Sequence, residues 1–235
     1  MKKIISYNDK VKIHVYSNKN ELFENFSEVF ISEVNKGLCI IPGGNTPKEI
    51  YNLVSNKSNL IKNRSVLLSD DRLVEKSDKF SNFNMINNYF KIDFQEGYPI
   101  DYYSFFSQNK IKELQNKISE LILVNNLYCS FLGIGSDSHT ASLFPHNKKN
   151  LSDDVSGFVL KNNFETFKRF TLSYKTIFSA EKIIFIITGR KKHIALKNIL
   201  SKNINYLKYP AQRFIKEHNH VEIYCDSDLF NNLII

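Results

Sequence analysis

Long apolar runs and paired cysteines are missing from this 235-residue sequence. No stretch approaches the ~20 apolar residues that a membrane-spanning helix needs, and polar residues from Ser6 to Asp9 interrupt any signal-peptide core. The three cysteines, Cys39, Cys129 and Cys225, form no CxxC pair, and an odd number without a spacing pattern argues against a disulfide framework. We therefore expect a soluble protein in the reducing cytoplasm, without a membrane partner.

Positive charge is in excess, but it is not concentrated. Lys and Arg total 32 against 24 Asp and Glu, which gives a formal net charge of +8 and favours anionic partners. The longest basic clusters are pairs such as Lys148-Lys149 and the triplet Arg190-Lys191-Lys192. Because no long basic stripe or known reader motif accompanies the charge, we expect no nucleic-acid partner. A phosphorylated small molecule is the favoured ligand, bound by a monomer or a small homo-oligomer.

Short apolar runs alternate with amphipathic stretches along the chain. Strands are predicted at 12–16, 38–41, 66–68, 128–134, 183–188 and 221–225, and helices at 21–34, 111–124 and 193–200. The 183–188 run is almost wholly apolar, which is typical of a strand buried on both faces of a parallel sheet. The alternation predicts a single α/β domain over residues 1–235, with a mostly parallel sheet and helices on both faces.

Polar and glycine-rich segments follow four of the predicted strands, after Ile41, Leu68, Ile134 and Thr188. In a sheet of this kind the ligand site lies beyond the carboxyl ends of the strands. The four segments are therefore predicted to meet at one crevice.

Two of these segments suit an anion. Residues 42–47 read PGGNTP, and glycines let the backbone approach an anion while the following helix offers free N–H groups. The alternative is a tight turn in which Thr46 caps the helix. Lys192, in the TGRKK segment at 188–192, stands at a predicted helix start, where a cation is unfavourable unless an anion is bound nearby.

The Asp70-Asp71-Arg72 segment carries both signs of charge. Adjacent residues on an extended segment point in opposite directions, so the two carboxylates are not expected to form one acid/base pair. One acid is expected to orient Arg72 or a helix terminus, and Arg72 to face an anion with its planar fork. The alternative is a solvated charged loop. Arg169, with Thr171, is a further candidate contact.

His139 lies in the segment LGIGSDSHTASLFP at 132–145. Histidine is the side chain best matched to proton transfer near neutral pH, and a carboxylate such as Asp137 would orient its ring and stabilise its protonated form. A nucleophilic triad using Ser138 or Ser142 stays open, although no G-x-S-x-G elbow is present. A single loop histidine is also often structural.

Taken together, the segments resemble the 6-phosphogluconolactonase family, within the larger glucosamine-6-phosphate isomerase/6-phosphogluconolactonase superfamily. The resemblance covers most of the chain and rests on GGNTP, DDR followed by SN, GIGSDSHTASLFP, RFTLS, TGRKK and the late YPAQ, in this order. HTASLFP is the most specific piece, because the related deaminases continue differently after their histidine. The resemblance implies a Rossmann-like α/β fold and hydrolysis of 6-phosphoglucono-1,5-lactone to 6-phosphogluconate in the oxidative pentose phosphate pathway, without a metal or organic cofactor.

The resemblance also implies roles for individual residues. His139 matches the catalytic histidine, and Asp137 stands beside it. The predicted substrate- and phosphate-binding set is Gly43, Gly44, Asn45, Thr46, Asp70, Arg72, Arg169 and Lys192.

The sequence departs from the family pattern at three positions. Ser138 replaces a glycine beside the proposed base, which narrows the backbone options of that turn, Asn45 stands where serine is common, and Asp71 replaces a glutamate. The alternative functions are a glucosamine-6-phosphate deaminase and a catalytically silent sugar-phosphate-binding protein, to which Ser138 would point.

Overall fold

The computed structural model describes residues 3–57, 66–90, 99–151, 155–161, 166–231 and 233. The strands are β1 (Lys3–Ser6), β2 (Val11–Tyr16), β3 (Leu38–Ile41), β4 (Val66–Leu68), β5 (Asp70–Arg72), β6 (Leu127–Leu132), β7 (Gly157–Lys161), β8 (Lys168–Leu172), β9 (Lys182–Ile187) and β10 (Val221–Asp226). The helices are α1 (Lys19–Val34), α2 (Asn45–Asn56), α3 (Asn82–Phe90), α4 (Tyr102–Ser107), α5 (Ile111–Asn125), α6 (Tyr174–Phe178), α7 (His193–Leu200), α8 (Pro210–Glu217) and α9 (Ser227–Phe230).

Seven strands form the central sheet in the order β1-β2-β10-β9-β6-β3-β4. The neighbours from β2 to β4 pair in parallel, and β1 adds an antiparallel edge. The mostly parallel α/β sheet that the sequence predicted is confirmed, and the six predicted strands lie within one or two residues of their expected bounds. The sequence analysis missed β1 and a second, antiparallel sheet of order β5-β8-β7.

Helices cover both faces of the central sheet, as predicted. Phe131 of β6 and Phe26 of α1 meet edge to face, with ring centroids 6.0 Å apart. Paired residues of parallel neighbours share a face, so Ile184 of β9, paired with Phe131, also faces α1. The next residue, Phe185, faces the opposite side, where the ring of Phe214 in α8 lies 6.4 Å away. Both Ile184 and Phe185 are completely buried, which explains why this strand reads as a continuous apolar run.

The order of the strands creates a crevice beside β3. From β3 the chain passes through α2 to β4 on one side, whereas from β6 it proceeds to β9 and β10 on the other. Ligand sites in open α/β sheets form beyond the carboxyl ends of strands at such a switch point. The four polar segments follow β3, β4, β6 and β9, which are adjacent in the sheet, so the fold brings all four to this crevice.

The three cysteines are buried on strands and carry free thiols. Among the described residues, no helix combines the length and the apolar character needed to cross a membrane.

Candidate active site

The four loops enclose a cleft of about 350 Å³. Seven of the ten predicted site residues line it, namely Gly43, Gly44, Asn45, Thr46, Asp70, His139 and Lys192. Ser69, Thr140 and Ala141 line it as well, and the sequence analysis gave them no role. The other three predicted residues, Asp137, Arg72 and Arg169, are not among the described residues that line the cleft.

His139 is held by Asp137, two residues earlier in the loop after β6. The imidazole Nδ1 lies 2.5 Å from Asp137 Oδ1, and the same carboxylate accepts the backbone N–H of His139 at 3.2 Å. Burial acts to raise the pKa of Asp137, but the hydrogen bond and charge of His139 outweigh it and the pKa is lowered. An ionised carboxylate only accepts hydrogen bonds, so in the neutral imidazole Nδ1 carries the proton and Nε2 has the lone pair. Nε2 is therefore the atom that can act as a base.

Packing fixes the imidazole on two further sides. A Cβ added to Gly135 would lie 2.2 Å from both Cε1 and Nδ1 of His139, so only glycine fits beneath the ring. The ring of Phe144 lies 4.8 Å from the imidazole, centroid to centroid. The loop itself is closed by the Gly135 N–H, which donates to the His139 carbonyl at 2.8 Å. The histidine thus belongs to a tight, preformed turn and is not a loose surface side chain.

Ser138 occupies the strained corner of this turn. Its φ of 71° lies in the left-handed region that favours glycine, which matches the glycine that the resemblance implies at this position. Its hydroxyl is buried and has no hydrogen-bond partner among the described residues. The Ser138 carbonyl accepts the backbone N–H of Ala211 at 3.1 Å, so the YPAQ segment at the start of α8 braces the turn. The departure from the family pattern has therefore not displaced His139 from Asp137.

The start of α2, which also lines the cleft, is suited to an anion. Gly44, with φ 98°, is the N-cap of α2, and no side chain caps this helix. The first-turn N–H groups of Asn45 and Thr46 have no partner within the helix, and the helix dipole makes this end attractive to negative charge. The alternative of a Thr46 cap is wrong, because Thr46 lies inside α2.

Lys192 adds a positive charge to the same cleft. It is the N-cap residue of α7, and burial lowers the pKa of its ammonium group. The turn before it is held by Asp226, whose carboxylate accepts the Thr188 hydroxyl and, at 3.2 Å, the Gly189 N–H. Gly189 has a φ of 94°, a conformation that other residues rarely adopt. Asp226 is a site-supporting residue that the sequence analysis missed.

Asp70 and Asp71 face opposite ways, as the extended backbone predicted. Asp70 Oδ2 accepts the Ser142 hydroxyl at 2.5 Å and Nη1 of Arg169 at 3.2 Å. Asp71 points away from the cleft to the start of α3, where it accepts the backbone N–H groups of Asn82 at 2.6 Å and Phe83 at 3.0 Å. Burial raises the pKa of Asp71 to about 6, against the lowering effect of these backbone hydrogen bonds.

Arg72 supports the glycine loop from behind. Its Nη1 donates to Asn82 Oδ1 at 2.8 Å, and Asn82 Nδ2 donates to the Asp70 carbonyl at 2.8 Å. A Cβ on Gly43 would lie 2.0 Å from Asn82 Oδ1, so the glycine lets the Asn82 amide pack directly on the loop. Arg72 thus contacts Asn82, and its predicted contact with an anion stays a prediction. The fixed spacing of Ser81-Asn82 after DDR was the available signal for this contact.

The chain is similar in sequence to known proteins. The sequence model of the family described as glucosamine-6-phosphate isomerases/6-phosphogluconolactonase matches residues 15–223. A 6-phosphogluconolactonase from Borreliella burgdorferi is 29% identical over 219 residues, covering 87% of this chain and 91% of the relative.

Two solved structures share the fold. The 6-phosphogluconolactonase from Trypanosoma cruzi superposes with a TM-score of 0.79 at 22% identity, covering 99% of both chains. A structure described as a monomeric glucosamine-6-phosphate deaminase superposes with a TM-score of 0.75 at 18% identity, covering 94% of this chain and 99% of the other. The fold alone therefore does not separate the two activities.

Proposed function

Because the chain belongs to the glucosamine-6-phosphate isomerase/6-phosphogluconolactonase family, we propose that it hydrolyses 6-phosphoglucono-1,5-lactone to 6-phosphogluconate. The observation that carries the proposal is that one cleft holds two chemically different kinds of group. The Asp137-oriented imidazole of His139 lines it, and so do the uncapped start of α2 and Lys192. A lactone needs activated water at its carbonyl, and a sugar phosphate needs a cationic cradle at its far end.

In the proposed mechanism the phosphate anchors the substrate. The Gly43-to-Thr46 loop offers backbone N–H groups, and Lys192 offers a point charge. Arg72 contributes indirectly by holding Asn82 against Gly43. Binding energy gained at the phosphate holds the lactone carbonyl near His139, which is how remote contacts of a substrate accelerate a reaction.

The chemical step uses the free Nε2 of His139. Nε2 removes a proton from water as the water oxygen attacks the lactone carbonyl carbon. The imidazolium that forms is stabilised by the Asp137 carboxylate, and it returns the proton to the ring oxygen as the carbon–oxygen bond breaks. General acid–base help of this kind is typically worth about 10²–10⁴-fold in rate. Lactones hydrolyse readily by themselves, so this factor suffices.

The finer assignments belong to the same proposal. Residues 1–235 act as one cytoplasmic domain, whose described buried apolar side chains form a single cluster. We infer that it works as a monomer or a small homo-oligomer, on a phosphorylated sugar lactone and not on nucleic acid. The net charge of +8 then serves to attract the anionic substrate.

The proposal is tested with freshly generated 6-phosphogluconolactone, by following acid release above the spontaneous rate. The same preparation is given glucosamine 6-phosphate, and ammonia release is measured. Fast lactone hydrolysis without ammonia release is the expected result. Ammonia release without lactone hydrolysis would establish the deaminase instead, and tight binding of 6-phosphogluconate without any turnover would indicate a silent binding protein.

A further inference from the structure

A buried arginine contacts both Asp70, which lines the cleft, and Phe144, the aromatic neighbour of His139. Arg169 is 7% exposed and lies on β8, directly opposite Arg72 of β5. The same antiparallel register sets Asp70 opposite Thr171, so Asp70 and Arg169 are diagonal neighbours on one face of the small sheet, within reach of a long side chain. The sheet that the sequence analysis missed thus sets the position of this arginine.

The first contact of Arg169 is with the Asp70 carboxylate. Its Nη1 donates to Asp70 Oδ2 at 3.2 Å and to the Ser142 hydroxyl at 3.3 Å. The Ser142 hydroxyl in turn donates to the same Asp70 oxygen at 2.5 Å, and the Ser69 hydroxyl donates to the other oxygen at 3.1 Å. These contacts fix the rotation of a carboxylate that lines the cleft.

The second contact of Arg169 leads to the imidazole. The guanidinium carbon lies 5.6 Å from the centroid of the Phe144 ring, a distance typical of a cation–π interaction. The Phe144 ring is the aromatic neighbour of His139, at 4.8 Å. With the carboxylate contact included, one guanidinium therefore supports both Asp70 and, through Phe144, the ring of the proposed base.

We propose that Arg169 is a positioning residue, which acts on the chemical step through Asp70 and Phe144 and makes no contact with the substrate phosphate. The inference rests on the proposed lactonase function. The positive charge of the buried Arg169 guanidinium is offset by the Asp70 carboxylate, so the pair attracts an anion only weakly. Lys192, in contrast, lines the cleft directly. The planar shape of the group matters as well, since it must hydrogen-bond Asp70 and stack on Phe144 at once.

The test compares Arg169→Lys with Lys192→Met on two substrates, 6-phosphogluconolactone and the unphosphorylated glucono-1,5-lactone. Lysine keeps the charge but loses the planar fork, so kcat should fall on both substrates, by up to ~10²-fold if the reacting groups shift by about 1 Å. The ratio of the two KM values should stay within about twofold of wild type. Lys192→Met is the matched control. Because this variant loses the phosphate contact, its KM for the phosphorylated lactone should rise toward its KM for the unphosphorylated one, and the ratio of the two should approach one.

A second variant protects the test against misfolding. Removing one partner of a buried ion pair is strongly destabilising, whereas replacing both is often tolerated. In Arg169→Met combined with Asp70→Asn, neither charge is left unpaired. The loss of kcat in this double variant should be at least as large as that of Asp70→Asn alone, because the contact of Arg169 with Phe144 is removed in addition to the carboxylate.

A readout independent of activity is the NMR signal of His139, one of six histidines, identified by its absence in His139→Asn. Arg169→Lys should shift this signal because the Phe144 ring moves, and Lys192→Met should not. The inference is overturned if Arg169→Lys leaves the signal and kcat unchanged, or changes the KM ratio as Lys192→Met does. If the wild type hydrolyses neither lactone, the proposed function fails, and the NMR comparison still decides whether Arg169 positions His139.

Discussion

Ser138→Gly is expected to stabilise the protein without changing its chemistry. Two features of the structure make Ser138 costly. A residue other than glycine in the left-handed region costs about 1–2 kcal/mol, and Ser138 has a φ of 71°. A buried polar group without a partner costs about 1–3 kcal/mol, and the Ser138 hydroxyl has no partner among the described residues.

Two opposing effects reduce the gain. Glycine adds conformational freedom to the unfolded chain, which costs roughly 0.5–1 kcal/mol, and the lost methylene group removes packing worth about 1 kcal/mol. The net expectation is a stabilisation of about 1–2 kcal/mol. For a chain of this length each kcal/mol raises Tm by about 2–4 °C, so Tm should rise by roughly 2–8 °C.

Thermal and urea unfolding of wild type, Ser138→Gly and Ser138→Ala measure this directly. Alanine removes the hydroxyl but keeps the Cβ, so it should recover only the part of the cost that comes from the buried polar group. Both variants should be more stable than wild type, and they should differ from each other by no more than about 1 kcal/mol, because the strain that glycine relieves is offset by its added chain freedom and its lost packing. The kcat of Ser138→Gly should stay within about twofold of wild type, since the Asp137–His139 contact of 2.5 Å already exists. A Ser138→Ala variant no more stable than wild type would refute the cost assigned to the buried hydroxyl.

Three other predictions concern the cleft and its support. Gly135→Ala should lower kcat by ~10²-fold or more, because its Cβ would lie 2.2 Å from the imidazole of His139. Gly133→Ala is the control and should keep normal turnover, because its Cβ meets nothing within 4 Å. Equal kcat values in the two variants would contradict the packing argument. Burial lowers the pKa of Lys192, so its positive charge is lost at a lower pH than in an ordinary lysine. Calorimetry should show affinity for 6-phosphogluconate falling already below the ordinary lysine pKa of ~10.4 in wild type but not in Lys192→Arg, and the same loss in both would rule out this titration. Burial raises the pKa of Asp71 to about 6 from ~3.9 in an unfolded chain, so the stability that Asp71 contributes is complete below pH ~4 and is lost as the pH rises through about 6. Urea unfolding should therefore show that Asp71→Asn lowers the free energy of unfolding by on the order of 2 kcal/mol more at pH ~4.5 than at pH ~7.5. A loss of stability that does not depend on pH would contradict the raised pKa.

The mostly parallel character of the central sheet was predictable, because the alternation of apolar runs with amphipathic stretches and the composition of the runs both indicated an α/β sheet. The almost wholly apolar run at 183–188 indicated a strand buried on both faces. Polar segments also followed four of the predicted strands. Parallel strands bring their carboxyl ends to one edge, so the convergence of the glycine loop, Asp70, His139 and Lys192 on one cleft followed from topology.

The small antiparallel sheet was not predictable in the same way. Its strand β5 consists of Asp70, Asp71 and Arg72, three charged residues that have no strand periodicity and low strand propensity for Asp. Tertiary contacts decide this strand: Asp71 caps α3, and Asp70 is held by Ser142 and Arg169. Such contacts join residues 11 to 99 positions apart, and no local pattern in the sequence records them.

The hydrogen-bond partners of the two arginines were not predicted, for a related reason. Sequence analysis identified charged residues near an anionic ligand and assigned Arg72 and Arg169 to it. The buried acceptors Asn82 and Asp70 compete for the same guanidinium groups, because a buried polar group must be paired within the protein. Lys192, which has no such acceptor among the hydrogen bonds of the described residues, is the cation that lines the cleft.

The most direct test of the account measures two quantities on the same preparations of wild type and His139→Ala: kcat for 6-phosphogluconolactone hydrolysis, and Kd for 6-phosphogluconate. If His139 is the general base and the phosphate is bound by the start of α2 and Lys192, kcat should fall by about 10²–10⁴-fold while Kd changes by less than about threefold. A kcat close to that of wild type in His139→Ala would contradict the account.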